Sequence, residues 1–159
     1  MNKAALVKKI LTRLQAEQLS YAHAARAAHA EATHEQNKAE SKYDTRGLEA
    51  AYLAGGQARQ AAQTEQTIEQ FQSLPLARFG AKDPIALSAL VELEARGERM
   101  FYFLGPRGGG LEIEHGGKEI LLITPQSPIG QLLLGRTTGD RVKFGTGAQQ
   151  VEYRVMAVS

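Results

Sequence analysis

No cysteine and no tryptophan occur anywhere in the 159 residues. The missing thiols exclude a disulfide framework, a cysteine nucleophile and a thiolate zinc site. Proline is missing from the whole first half, since all five prolines lie at Pro75 or later. Glycine follows the same division, with only Gly47, Gly55 and Gly56 of the 16 ahead of Leu74. There is little excess of charge of either sign: nineteen Lys and Arg against seventeen Asp and Glu leave +2. That balance excludes a polybasic nucleic-acid binder and an acidic tail. Long apolar runs are also lacking. The stretch from Ile120 to Leu134 is broken by Pro125, Gln126, Pro128, Gly130 and Gln131, and falls short of the roughly 20 residues a spanning helix needs. The first ten residues carry lysines but no apolar block of signal-peptide length. With 43% hydrophobic and 23% charged residues, the expectation is a folded, soluble, cytoplasmic protein with no membrane partner.

What the first half does contain is Ala, Glu, Gln, Lys and Arg, the strong helix formers. Leu6, Val7, Ile10, Leu11 and Leu14 recur at helical spacing, and the stripe continues as Ala22, Ala25, Ala28 and Ala32. The short polar run from Ser41 to Gly47 reads as a turn. A second pattern follows through Leu48, Tyr52, Ala58, Ala62, Ile68, Phe71 and Leu74. Neither helix buries its stripe alone, so an antiparallel hairpin is expected, slim along its alanines and about 50 Å long at 1.5 Å per residue. Leu6, Ile10, Ile68 and Phe71 form its base. Gly55-Gly56 permits close helix approach, a kink, or a reversal there instead; the turn is placed at Tyr43 to Gly47. Pro75 ends the hairpin, giving residues 1–74 as a coiled-coil arm and 75–159 as a second domain.

The second half reads as strands: Leu90–Glu94, Arg99–Leu104, Gly110–His115, Glu119–Thr124 and Val151–Val158, each short and bounded by Gly, Pro or charge. Ser127-Pro128-Ile129-Gly130, continuing to Gly135, reads as a short helix with a serine cap, proline at the first position and glycine after the end. The fold class is therefore α+β: a helical hairpin followed by a small antiparallel sheet with one helix.

Few residues carry chemistry. His23, His29 and His34 are six and five apart, not the i, i+4 spacing that puts two metal ligands on one helix face, so solvated histidines are favoured. His115 stands alone. Gly105-Pro106-Arg107-Gly108-Gly109-Gly110 lacks the Gly-Lys-Ser/Thr ending of a phosphate loop and reads as a hairpin loop. Arg136, Arg141 and Lys143 read as a solvated face or a modest basic rim. Glu40, Asp44 and Glu49 gather at the predicted turn, either complementing helix ends or offering hard oxygen ligands to a cation.

The series Ser127-Pro128-Ile129-Gly130, Leu134-Gly135, Gly139-Asp140 and the last strand Val151–Val155 resembles the C-terminal domain of the bacterial GreA/GreB transcript-cleavage factors. The likeness extends to the layout of the whole chain, a hairpin of about 75 residues and then an FKBP-like domain. The resemblance implies an accessory factor of RNA polymerase, not an independent enzyme. Its arm would enter the polymerase secondary channel, and Ser127, Pro128, Ile129 and Gly130 would shape the docking surface. Asp44 and Glu49, with Glu40 in reserve, would help hold Mg²⁺ in the polymerase's own active centre while backtracked RNA is cut at its 3′ end. Arg46 would meet a polymerase acid or the RNA phosphate. No cofactor is implied for the chain alone, and no small-molecule substrate. The family's tip reads Asp-x-x-Glu, then Asn-Ala-Glu-Tyr. Here the run is Asp44-Thr45-Arg46-Gly47-Leu48-Glu49-Ala50-Ala51-Tyr52. The acids are five apart, and matching Tyr52 puts Leu48 where the family has Glu. A second reading follows: a channel-occupying regulator that does not cut, Rnk- or DksA-like in role. A third, peptidyl-prolyl isomerase activity, needs an aromatic-lined cavity, for which Phe101, Tyr102 and Phe103 alternate like an ordinary strand.

Overall fold

The computed structural model describes residues 2–34, 40 and 45–159. Two long helices, α1 (Lys3–Thr33) and α2 (Arg46–Gln72), precede β1 (Leu90–Ala95), β2 (Glu98–Leu104), β3 (Glu112–His115) and β4 (Lys118–Ile123). Then come α3 (Pro128–Leu133), β5 (Arg141–Phe144), a single 3-10 turn and β6 (Val151–Val158). The chain forms two compact units, one of residues Leu11–Glu69 and one that joins Met1–Ile10 to Gln70–Ser159. No described helix is long and apolar enough to cross a membrane.

In the helical unit the inward positions of α1 run through Leu14, Glu17, Tyr21, Ala24 and Ala28, and those of α2 through Ala50, Ala54, Gln57, Ala61, Thr64 and Ile68. Steps of three and four alternate, the 3.5-residue period of a coiled-coil seam. This corrects the phase expected for the start of α2. Leu48 is 58% exposed and Tyr52 74%, and Ala58 and Ala62 also face solvent. The alanine seam sets the phase because small side chains let the backbones approach, and it leaves the larger apolar residues outside. Gly47 lies within α2, so it is not part of the turn; residues 41–44 lie outside the described residues. Gly55 and Gly56 are also inside α2, so the chain does not reverse there. Close helix approach does not require them either. A Cβ added at Gly55 would meet only Arg59 Nη1 of the same helix at 3.6 Å, an ordinary contact.

The sheet has the order β3-β4-β2-β1-β6-β5. Four of its pairings are antiparallel, but β2 and β4 run parallel, so the wholly antiparallel sheet expected from the sequence is corrected to a mixed one. The reason is the connection. The glycine-rich stretch after Leu104 leads to β3 at the sheet edge, and the β3–β4 hairpin then folds back to lay β4 beside β2. A parallel neighbour needs a crossover of about a dozen residues, and residues 105–117 supply it. Gly105–Gly110 is thus part of a crossover rather than a hairpin loop. The sixth strand, β5, was not foreseen; Val142 is its buried residue and pairs with Tyr153.

Pleating divides the sheet into two apolar faces. On one, Val91, Leu93, Leu104, Ile123, Val142 and Val155 form a core closed by Leu133 of α3, with Ile129 packed against it. The opposite face carries Phe103 paired with Leu122, and Ile120 paired with Phe101. Leu6 and Ile10 of α1 and Phe71 of α2 are buried in the same unit. Phe71 seats where β2 ends, because Gly105 has no side chain. A Cβ there would come within 2.8 Å of Phe71 Cζ and 2.6 Å of Leu122 Cδ1.

Lys3 ties the first turn of α1 into this unit. Its ammonium donates to the carbonyls of Ala77 and Ser88 and lies 4.7 Å from the centre of the Phe79 ring. Ser88 is wholly buried at φ +69°, and its Oγ accepts from the Ala77 N–H at 3.0 Å. Burial pushes the Lys3 ammonium below the usual lysine range. Below the lowered folded value both states are charged and the desolvation cost is felt in full. Between that value and the ordinary 10.5 the unfolded chain binds more protons, so stability rises with pH. The wild type is therefore expected to gain stability relative to a Lys3→Met variant as pH climbs through that window, measured as the difference between their urea midpoints at neutral and alkaline pH.

Candidate functional site

Thr45 stands immediately before α2, and the first turn is built around Glu49. The Glu49 N–H donates to the Thr45 carbonyl at 2.8 Å. The Thr45 hydroxyl donates to Glu49 Oε1 at 2.9 Å. Both residues are exposed, so the carboxylate is open to solvent and held from one side only. A negative charge in this turn is favoured by the positive end of the helix dipole. Arg46, the first residue of α2, is exposed, as is Glu40. Leu48, Tyr52 and Leu53 are exposed on the first two turns of the same helix. Asp44, the other expected tip ligand, lies outside the described residues.

Among the described residues no three carboxylates or histidines gather to hold a metal. His23, His29 and His34 are exposed on or just beyond α1. Among the described residues, the start of α2 thus offers one exposed carboxylate, tethered through Oε1.

The Ser127–Gly130 motif is a built helix start. Ser127 Oγ accepts from the Gly130 N–H at 3.1 Å and donates to the Thr124 carbonyl at 2.7 Å. Pro128 occupies the first helical turn and is exposed, while Ile129 is half-buried on the core. Gly130 is buried against backbone: a Cβ there would stand 1.9 Å from the Thr124 oxygen. Of the four residues, Pro128 alone is freely exposed to a partner. Arg136, Arg141 and Lys143 are all exposed, and Arg141 pairs with Glu152 at 3.0 Å across the β5–β6 edge.

A shallow cleft of about 290 Å³ is lined by Met100, Phe101, Tyr102, Glu112, Glu119 and Leu121. Phe101 is capped by the Lys118 ammonium 4.0 Å from its ring centre, and Phe103 is wholly buried. Burial, with the neighbouring Tyr153, raises the Tyr102 phenol above its ordinary range.

The transcription elongation factor GreA/GreB C-terminal domain family matches residues 81–159. The chain belongs to the GreA/GreB family. Members are transcription elongation factors that act as accessory proteins of RNA polymerase and bind it. Among solved structures the chain is similar to the GreA factor homolog 1 (Gfh1) of Thermus thermophilus, 24% identical over 94% of both chains with a TM-score of 0.39. The Gfh1 of Thermus aquaticus is also 24% identical, over 95% of this chain and 92% of that one, with a TM-score of 0.39. A GreA/GreB factor from Nitrosomonas europaea is 14% identical over 60% of this chain and 78% of that one, with a TM-score of 0.38. No curated protein sequence matches the chain. For this GreA/GreB member, the contact at the start of α2 that the sequence did not announce is that of Thr45 with Glu49. Its signal was a threonine just ahead of the helix and four residues before a glutamate, one step longer than a capping box.

Proposed function

We propose that this GreA/GreB member inserts its α1/α2 hairpin into the secondary channel of RNA polymerase and assists cleavage of backtracked RNA through Glu49 and Asp44. The observation that carries the reading is Glu49, exposed in the first turn of α2 with one carboxylate oxygen engaged by Thr45 and, among the described residues, no ligand cluster around it. Such a group completes the coordination of a shared ion rather than holding one alone. Mg²⁺, held by the polymerase, supplies water activation and stabilisation of the leaving oxygen. Glu49 presents its carboxylate from the first turn of α2, and Arg46, the first residue of that helix, would meet the RNA phosphate or a polymerase acid. Ser127, Ile129 and Gly130 shape the surface that docks at the channel rim, with Pro128 as its exposed point.

One observation favours a second reading. Leu48, at the position where the family's pattern has Glu, is 58% exposed at the tip and offers no ligand. A chain that relies on occupancy alone would bind the channel and exclude other factors without cutting.

The two readings separate in a backtracked polymerase complex carrying 3′-labelled RNA and Mg²⁺. Wild type is expected to release short 3′ fragments, and Asp44→Asn and Glu49→Gln to slow that release about tenfold or more while still binding. No release, with inhibition of an added cleavage factor, would establish occupancy instead. Neither release nor competition would remove the channel from the account.

A further inference from the structure

Resting on the tip reading above, we propose that Thr45 is a positioning residue for Glu49. Its hydroxyl fixes the carboxylate so that Oε2 faces a cation presented by the polymerase while Oε1 is held. Two bonds join this pair, one from main chain to main chain at 2.8 Å and one from side chain to side chain at 2.9 Å. Neither residue is buried, so the pair contributes nothing to a core. A free glutamate on a helix surface samples several rotamers and would have to be ordered at the moment of use. A hydroxyl donor already in place favours the rotamer that reaches it and so biases the carboxylate plane. Donors in this outer position commonly change metal affinity by about 10–100-fold. The branched Cβ of threonine narrows the positions of the donor, while the hydroxyl itself does the orienting.

The test uses the full chain with Thr45→Ala, Thr45→Val and Thr45→Ser. In backtracked complexes, the Ala and Val variants are expected to raise the Mg²⁺ concentration for half-maximal cleavage about tenfold. The rate at saturating Mg²⁺ should stay near wild type. In the free protein, three-bond NMR couplings across the Glu49 side chain should report one dominant rotamer in wild type and averaging in the Ala and Val variants. Serine, which keeps the hydroxyl, is expected to restore both readouts. A merely structural helix cap would lower helix stability without moving the Mg²⁺ midpoint. Averaged couplings in wild type would overturn the proposal, as would a wild type that cleaves beside a Thr45→Ala variant with an unchanged midpoint. A wild type that does not cleave would overturn it together with the reading beneath it.

Discussion

Replacing Phe71 by alanine is expected to lower the stability of the chain by about 3–5 kcal/mol, the usual cost of truncating a buried phenylalanine. The ring is 1% exposed and, with Phe103, is among the largest fully buried side chains of the described residues. Its seat is made by an absence: Gly105 offers no Cβ where one would stand 2.8 Å from Phe71 Cζ. A cavity left there is floored by backbone at the end of β2, which is pinned by the Gly105 N–H donating to the Ile123 carbonyl at 2.9 Å. That backbone cannot collapse inward, so the cavity persists and the cost falls toward the upper end. Urea unfolding should show the shift as a lowered midpoint, and thermal unfolding as a drop of about 10 °C or more for a chain of this length. A loss below about 1 kcal/mol would show that the site closes over the gap, and that the ring does not hold the end of α2 to the sheet.

Gly130→Ala is expected to be the most damaging small substitution, at or above the upper end of the roughly 1–3 kcal/mol that overpacking costs. The added methyl would lie 1.9 Å from the Thr124 oxygen and 2.8 Å from Ser127 Oγ. The obstacle is backbone, and it is already committed: the Thr124 carbonyl accepts from the Ser127 hydroxyl at 2.7 Å and from the Ser127 N–H at 3.0 Å. Moving it breaks the cap of α3 and lifts Ile129 and Leu133 from the core. Ser127→Ala, which removes only the cap, is expected to cost about 1 kcal/mol. The comparison matters for function, because loss of polymerase binding in Gly130→Ala would report a lost helix rather than a lost contact. Circular dichroism and unfolding midpoints on both variants decide the order.

Local chemistry was legible where it was self-contained. Ser127, Pro128 and Gly135 announce α3 because cap, first turn and stop are encoded within nine residues. The two long helices followed from composition and spacing. The phase at the start of α2 did not, because Leu48 and Tyr52 look like core while Ala50 and Ala54 look like filler. Only the close approach of two helices makes alanine the inward residue. The parallel β2–β4 pair was hidden because direction depends on what the crossover does, not on the strand residues. β5 was hidden because Arg141 and Lys143 surround a single buried valine. At the tip, Glu49 could be named from resemblance and spacing, but the Thr45 contact could not, since it depends on a side-chain geometry that no spacing rule specifies.

The joining of residues 1–10 to residues 70–159 has a consequence for how the chain is made. Lys9 donates to the carbonyl of Glu114, 105 positions later, and Lys3 to that of Ser88, 85 positions later. At about 5–20 residues per second of synthesis, the opening turns of α1 wait roughly 5–20 s for their acceptors to be translated. Leu6, Val7 and Ile10 lie on the same turns, so their burial in this unit is completed only once its strands have been made. The unit therefore closes late, after its strands have followed α1 and α2 off the ribosome.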